Sequence, residues 1–85
     1  MNTKPSTIFG ANIRTVRRAR GLSQGQVIDH LEWPFDRSAL SSIEHGKHGV
    51  SLDFAIDVCR VLDVDPVAMW SAPLQVSFTA KRAAS

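Results

Sequence analysis

Residues 21–47, GLSQGQVIDHLEWPFDRSALSSIEHGK, decide the fold. They read as two helices joined by a turn. Ser23 is placed to cap the first, because its hydroxyl accepts from orphan N–H groups of the opening turn. Val27, Ile28 and Leu31 recur at helical spacing behind it. Pro34 stops the run, since the residue before a proline is pushed out of the helical region. Asp36 restarts a helix as a second N-cap, with its charge at the favourable dipole end. Gly46 offers a left-handed residue to end it.

The second helix carries the functional reading. With Leu40 at zero and about 100° per residue, Ile43 and Ala39 fall near 300° and 260°. They make one apolar arc with Leu40. Ser38, Ser41, Ser42 and His45 fall at about 100° to 200°, on the opposite side. That side has short hydroxyls, a histidine and no acid. It suits a helix laid in a DNA major groove, where side chains must reach base edges at close range. An ordinary solvated face fits the same pattern, so the rest of the chain has to separate the two.

Eighty-five residues allow one small domain. A hydrophobic fraction of 44% is that of a globular chain. No apolar run approaches the length of a membrane span, and MNTKPSTIFG lacks the apolar region of a signal peptide. The single cysteine, Cys59, excludes an internal disulfide framework and lies in an apolar helical pattern. A reducing cytoplasm is the expected compartment. Net charge is only +2, but its distribution is uneven. Arg14, Arg17, Arg18 and Arg20 cluster, whereas Asp53, Asp57, Asp63 and Asp65 lie elsewhere, which suggests one basic side.

Upstream, residues 1–5 read as an arm, and Ser6 or Thr7 as the cap of a helix reaching about Arg20. Ile8, Phe9, Ile13, Val16 and Ala19 form its expected buried stripe. Gly21 ends it, with Leu22 folding back. Downstream, Ser51 caps a helix over Leu52 to Leu62. Leu52, Ala55, Ile56, Cys59 and Leu62 share one side, and Phe54, Val58 and Val61 a second. Burial of both sides is expected, and in a domain this small another subunit is a candidate cover for the second. Asp65-Pro66 opens a last short helix. Leu74, Val76 and Phe78 alternate with polar residues over 74–79, the period of a half-buried strand. With no internal strand partner in view, this segment is expected to pair with its copy in a second molecule.

IRTVRRARGLSQGQV, SALSSIEHGK, SLDFAIDVCRVLDV and DPVAMW together resemble the lambda-repressor-like, Xre/Cro-type helix-turn-helix family over about residues 8–70. The resemblance implies an all-α fold of five helices, with an arm over 1–7 and a tail over 71–85 that contains the dimerisation strand. It implies a bacterial or phage-encoded cytoplasmic regulator that binds inverted-repeat operator DNA as a homodimer, with no cofactor. By the family's pattern, Ser23 and Gln24 opening helix 2 hold DNA phosphates. So do His45, Lys47 and His48 past helix 3. Arg37, Ser38, Ser41 and Ser42 touch bases. Arg17 pairs with Glu44 as a structural ion pair, and the wheel independently puts Glu44 beside Leu40 rather than on the open face.

Three departures stand out. The turn Glu32-Trp33-Pro34-Phe35 is longer than the family's usual one and carries two aromatics. Ile28 stands where a small residue is usual, and Asp63 where a C-cap glycine is usual. An enzyme is not expected, because no paired carboxylates or nucleophile–base spacing are present. His45 and His48 form no recognisable metal motif. The alternative to a DNA reader is an antitoxin-type interaction module that binds a partner protein through its tail and the Trp33–Phe35 turn.

Overall fold

The computed structural model describes residues 4–71. Five helices follow in order: α1 (Pro5–Ala19), α2 (Gln24–His30), α3 (Arg37–Glu44), α4 (Leu52–Leu62) and α5 (Pro66–Ser71). There is no strand among the described residues. The candidate dimerisation residues Leu74, Val76 and Phe78 lie outside them.

Local chemistry explains most helix ends. Ser23 Oγ accepts from Gln26 N–H at 3.0 Å, and Gln26 Oε1 accepts from Ser23 N–H at 2.8 Å, a reciprocal capping box. Asp36 Oδ1 accepts from Ala39 N–H at 2.8 Å and Ser51 Oγ from Phe54 N–H at 3.2 Å. At the other ends, Gly21, Gly46 and Asp63 are left-handed. Behind them the N–H groups of Leu22, Lys47 and Val64 close onto Arg17, Ser42 and Cys59 carbonyls, as in Schellman caps. Asp63 thus fills the glycine role at φ 57. Helix 1 departs from expectation. It starts at Pro5, whose missing N–H is harmless at a first helical position, and neither Ser6 nor Thr7 caps it. Residues 5–7 of the expected arm are therefore helical.

The core is built on Phe9, Ile13 and Val16 of α1, met by Val27, Leu40, Phe54, Val58, Leu62 and Met69. Burying one such side chain is worth roughly 1.5–3 kcal/mol. α1 packs chiefly on α5 and α3. Against α5, Phe9 stacks on Trp70 at 4.2 Å between ring centroids, and Asn12 Nδ2 donates to Met69 O at 2.8 Å. Against α3, Gly10 lets the backbones touch: a Cβ there would lie 1.8 Å from Ile43 O. The expected α1 stripe needs correction at its ends. Ala19 is exposed and Ile8 half-buried, while Asn12 and Gly10 are buried. Ala19 lies in the last turn, beyond the helices that cover the rest of the face.

The expected burial of both sides of α4 also needs correction. Phe54, Ala55, Val58, Cys59 and Leu62 are buried, but Leu52 and Ile56 are 67% and 53% exposed. Phe54 and Val58, the side considered for another subunit, face this chain's own core.

The long turn is held from below by α4. α2 stops at His30, and Leu31 is already extended. Asp57, 4% exposed, accepts from Glu32 N–H at 2.9 Å and Trp33 N–H at 3.0 Å through Oδ2. Arg60 Nη2 donates to Asp57 Oδ1 at 2.9 Å and to His30 O at 3.0 Å. Phe35 turns inward, edge-on to Phe54 at 4.7 Å, whereas Trp33 stays 60% exposed. The two turn aromatics therefore have opposite fates.

Burial pushes the Asp57 carboxyl up, but the Trp33 N–H, Arg60 and the Glu32 N–H outweigh it and leave the pKa below its ordinary 3.8. A depressed folded pKa contributes stability that is complete above the unfolded value and lost as pH falls through the folded one. Asp57→Asn should lose about 1.5–3 kcal/mol at neutral pH, the range for hydrogen bonds to a charged group. Urea midpoints measured from pH 7 downward should show that deficit steady above the ordinary carboxyl pKa and shrinking below it. A deficit that does not vary with pH would contradict the role given to the charge.

Candidate nucleic-acid interface

α3 is positioned by what its two flanks grip. On one flank Glu44, with a fully buried side chain, accepts from Arg17 Nε at 2.7 Å (Oε2) and Arg17 Nη2 at 2.9 Å (Oε1). Arg17 Nη1 also donates to Leu22 O at 2.8 Å, which ties in the α1–α2 corner. Gln24 Nε2 donates to Glu44 Oε1 at 3.1 Å. The expected Arg17–Glu44 pair is thus present, and Gln24 joins it, which the sequence did not suggest. On the other flank, Ala39 and Ile43 line a hollow with Phe35, His48, Gly49, Ser51 and Phe54.

Between these flanks lies the open side of α3. Arg37 and Ser38 are exposed and Ser41 and Ser42 half-buried. Arg37 lies at the first turn, its Cδ 4.0 Å from where a Cβ on Gly25 would be, so its stem passes over the start of α2. Gln24 lies off the Glu44 edge of the serine side, and His48 off the Ala39 edge. His45 donates its Nδ1–H to Ser41 O at 2.8 Å, because a carbonyl can only accept. Lys47 is exposed and makes no ion pair among the described residues. Ser23 is exposed, and its hydroxyl oxygen caps α2 while the hydroxyl hydrogen remains to be donated.

The open side therefore gathers donors: a guanidinium, hydroxyls, an amide, an ammonium and imidazoles, with no acidic side chain among them. Glu44, the only acid within α3, is turned inward and neutralised by Arg17. Such a surface attracts anions and can hydrogen-bond to base edges.

The helix-turn-helix domain family matches residues 8–69. This chain belongs to that family. Among solved structures, it is similar to the restriction-modification controller protein C.AhdI from Aeromonas hydrophila. Identity to that structure is 31%, with 75% of this chain and 94% of that one covered, at a TM-score of 0.67. The helix-turn-helix fold is shared with two more distant structures. The clp gene regulator ClgR from Corynebacterium glutamicum is 20% identical (99% and 85% covered, TM-score 0.75). Bacillus thuringiensis PlcR, solved with the peptide PapR7 and DNA, is 22% identical (91% and 26% covered, TM-score 0.69). No curated protein sequence matches the chain. Within the helix-turn-helix frame, α2 and α3 are the motif and Leu31–Asp36 its enlarged turn.

No cluster of His, Cys, Asp or Glu able to hold a metal occurs among the described residues. No helix among them is long and apolar enough to cross a membrane. Burial first, then the nearby Asp65 charge, push the Cys59 thiol up to about 11, so it is a core filler rather than a nucleophile.

Proposed function

We propose that the chain is a transcriptional regulator that binds double-stranded DNA, with α3 in the major groove. One observation carries the reading: the open side of α3 presents Arg37, Ser38, Ser41 and Ser42 without an acid, and its one glutamate is turned inward. Arg37 is the base reader, able to meet guanine O6 and N7 with two hydrogen bonds. The serines add permissive contacts, since hydroxyls both donate and accept. Ser23 and Gln24 on one side, and His45, Lys47 and His48 on the other, hold phosphates and set the register. The similarity to a restriction-modification controller protein supports this reading.

The proposed species is a homodimer on an inverted repeat, with half-sites about 34 Å apart. Leu74, Val76 and Phe78 supply its strand contact, in the organisation of arm 1–7, domain 8–70 and tail 71–85. Occupancy of the operator would repress transcription or control the regulator's own expression. The 60% exposure of Trp33 favours one second reading, a module that binds a partner protein through the turn. A stable homodimer of the purified chain argues for self-association. A chain soluble only with a co-expressed partner argues for the second reading.

Selection from random duplexes followed by Arg37→Ala is the test. Wild type should enrich an inverted repeat. The variant should lose about 1–3 kcal/mol of discrimination at one base pair per half-site, with the other positions unchanged. No enrichment, or a variant that discriminates as the wild type does, would overturn the assignment.

A further inference from the structure

α1 carries no acidic residue along its fifteen positions, yet it carries Arg14, Arg17 and Arg18. Only Arg17 is neutralised, by Glu44. Arg14 and Arg18 are exposed and make no hydrogen bond or ion pair among the described residues. They stand four apart, on the same strip of the helix, where like charges repel by a few tenths of a kcal/mol. No acid at helical spacing relieves them.

These two side chains wall a concavity of about 350 Å³, whose other lining residues are Ala11, Thr15 and Glu44. Ala11 keeps it open. The Thr15 hydroxyl donates back to Ala11 O at 3.0 Å, so the positive wall is made by the arginines alone. Glu44 does not spoil the site for an anion. Its side chain is buried, its oxygens accept from Arg17 and Gln24, and the Arg17 charge cancels its own. The same carboxylate joins the concavity to Gln24, so the groove and the expected phosphate clamp at the start of α2 are neighbours across one side chain.

We infer that the Arg14–Arg18 groove is a further anion site that takes phosphodiester groups of the DNA backbone. It lies beside the α2 clamp and outside the stretch read by α3. Two guanidinium forks about 6 Å apart along the helix axis suit successive phosphates of one strand. This inference rests on the DNA-binding reading. It adds a footprint that extends along α1 and contributes affinity without base preference.

The test uses the duplex enriched by the wild-type protein, with binding measured by anisotropy across a salt series. Each phosphate contact contributes about 0.9 to the slope of log K against log salt. Arg14→Ala with Arg18→Ala should lower that slope by about 1 to 2 and weaken specific and random duplexes alike, by roughly 8-fold per lost contact at 0.1 M relative to 1 M salt. The enriched sequence should stay the same. Arg14→Lys with Arg18→Lys should keep most of the slope, and melting of all variants should match wild type because both side chains are exposed.

A second arm replaces flanking phosphates one at a time by neutral methylphosphonates. One or two positions beyond the base-read segment should weaken wild type and leave the double alanine variant unaffected. An unchanged slope, or the same methylphosphonate profile in both proteins, overturns the groove while the DNA-reader assignment stands on the enriched sequence. Chemical-shift changes at Arg14 and Arg18 with inorganic phosphate, alongside an unchanged DNA slope, would make it a free-phosphate site and also overturn the inference. Failure of wild type to enrich any sequence would instead remove the reading on which it rests.

Discussion

Glu44→Ala is expected to lose roughly 3–5 kcal/mol of stability, the range for removing one partner of a buried ion pair. The reason is specific to the geometry. The Glu44 side chain is fully buried, and three donors converge on it: two from Arg17 and one from Gln24. Without it, the Arg17 guanidinium, only 11% exposed, keeps the Leu22 carbonyl and no counter-charge. A chain of this size has about 4–13 kcal/mol in all, so the variant should be marginal. A thermal melt should fall by at least about 12 °C. Glu44→Gln should lose less, because one oxygen remains to accept. Arg17→Met with Glu44→Leu should recover much of the loss, since an apolar pair of similar volume removes the stranded charge. A loss under about 1 kcal/mol in Glu44→Ala would mean the pair is peripheral, as exposed pairs are.

Gly10→Ala is the second. In an ordinary helix interior this change would stabilise by up to about 1 kcal/mol. Here it should destabilise by about 2 kcal/mol net, within the range for overpacking. The new Cβ would lie 1.8 Å from Ile43 O and 2.8 Å from Ile43 C, and these are backbone atoms that cannot rotate aside. α1 and the C-terminal end of α3 must separate, which also shifts Glu44 relative to Arg17. Gly49→Ala serves as the control, since nothing lies within 4 Å of where its Cβ would be. It should stay within about 0.5 kcal/mol. Urea midpoints on the three proteins decide it. A Gly10→Ala variant as stable as wild type would show that the close approach of α1 and α3 is not needed.

What could be read from the sequence was local chemistry. Ser23, Asp36 and Ser51 cap the helices they were expected to cap, and Gly21, Gly46 and Asp63 take the left-handed positions. The Arg17–Glu44 pair was legible from the family pattern, and the helical wheel agreed in turning Glu44 away from the open face. What escaped depends on which element lies across the gap. Asp57 read only as one of four acids set apart from the arginines, and only the fold brings the Glu32 and Trp33 N–H groups onto it. Gly10 and Asn12 escaped for the same reason: a glycine and an amide inside a helical stripe carry no periodic signal. The separate fates of Trp33 and Phe35 could not be read from a turn whose geometry was unknown. The open side of Leu52 and Ile56 was missed because two apolar arcs on one helix do not say which faces the core.

The central claim, that α3 presents the DNA-reading surface, is tested most directly by mapping amide and side-chain chemical shifts on titration with the enriched duplex. The account predicts the largest changes at Arg37, Ser38, Ser41, Ser42 and the Gln24 side-chain amide, with Trp33 and the Asp57–Arg60 clip unmoved. Changes centred on Trp33, Leu52 and Ile56, with α3 silent, would contradict it.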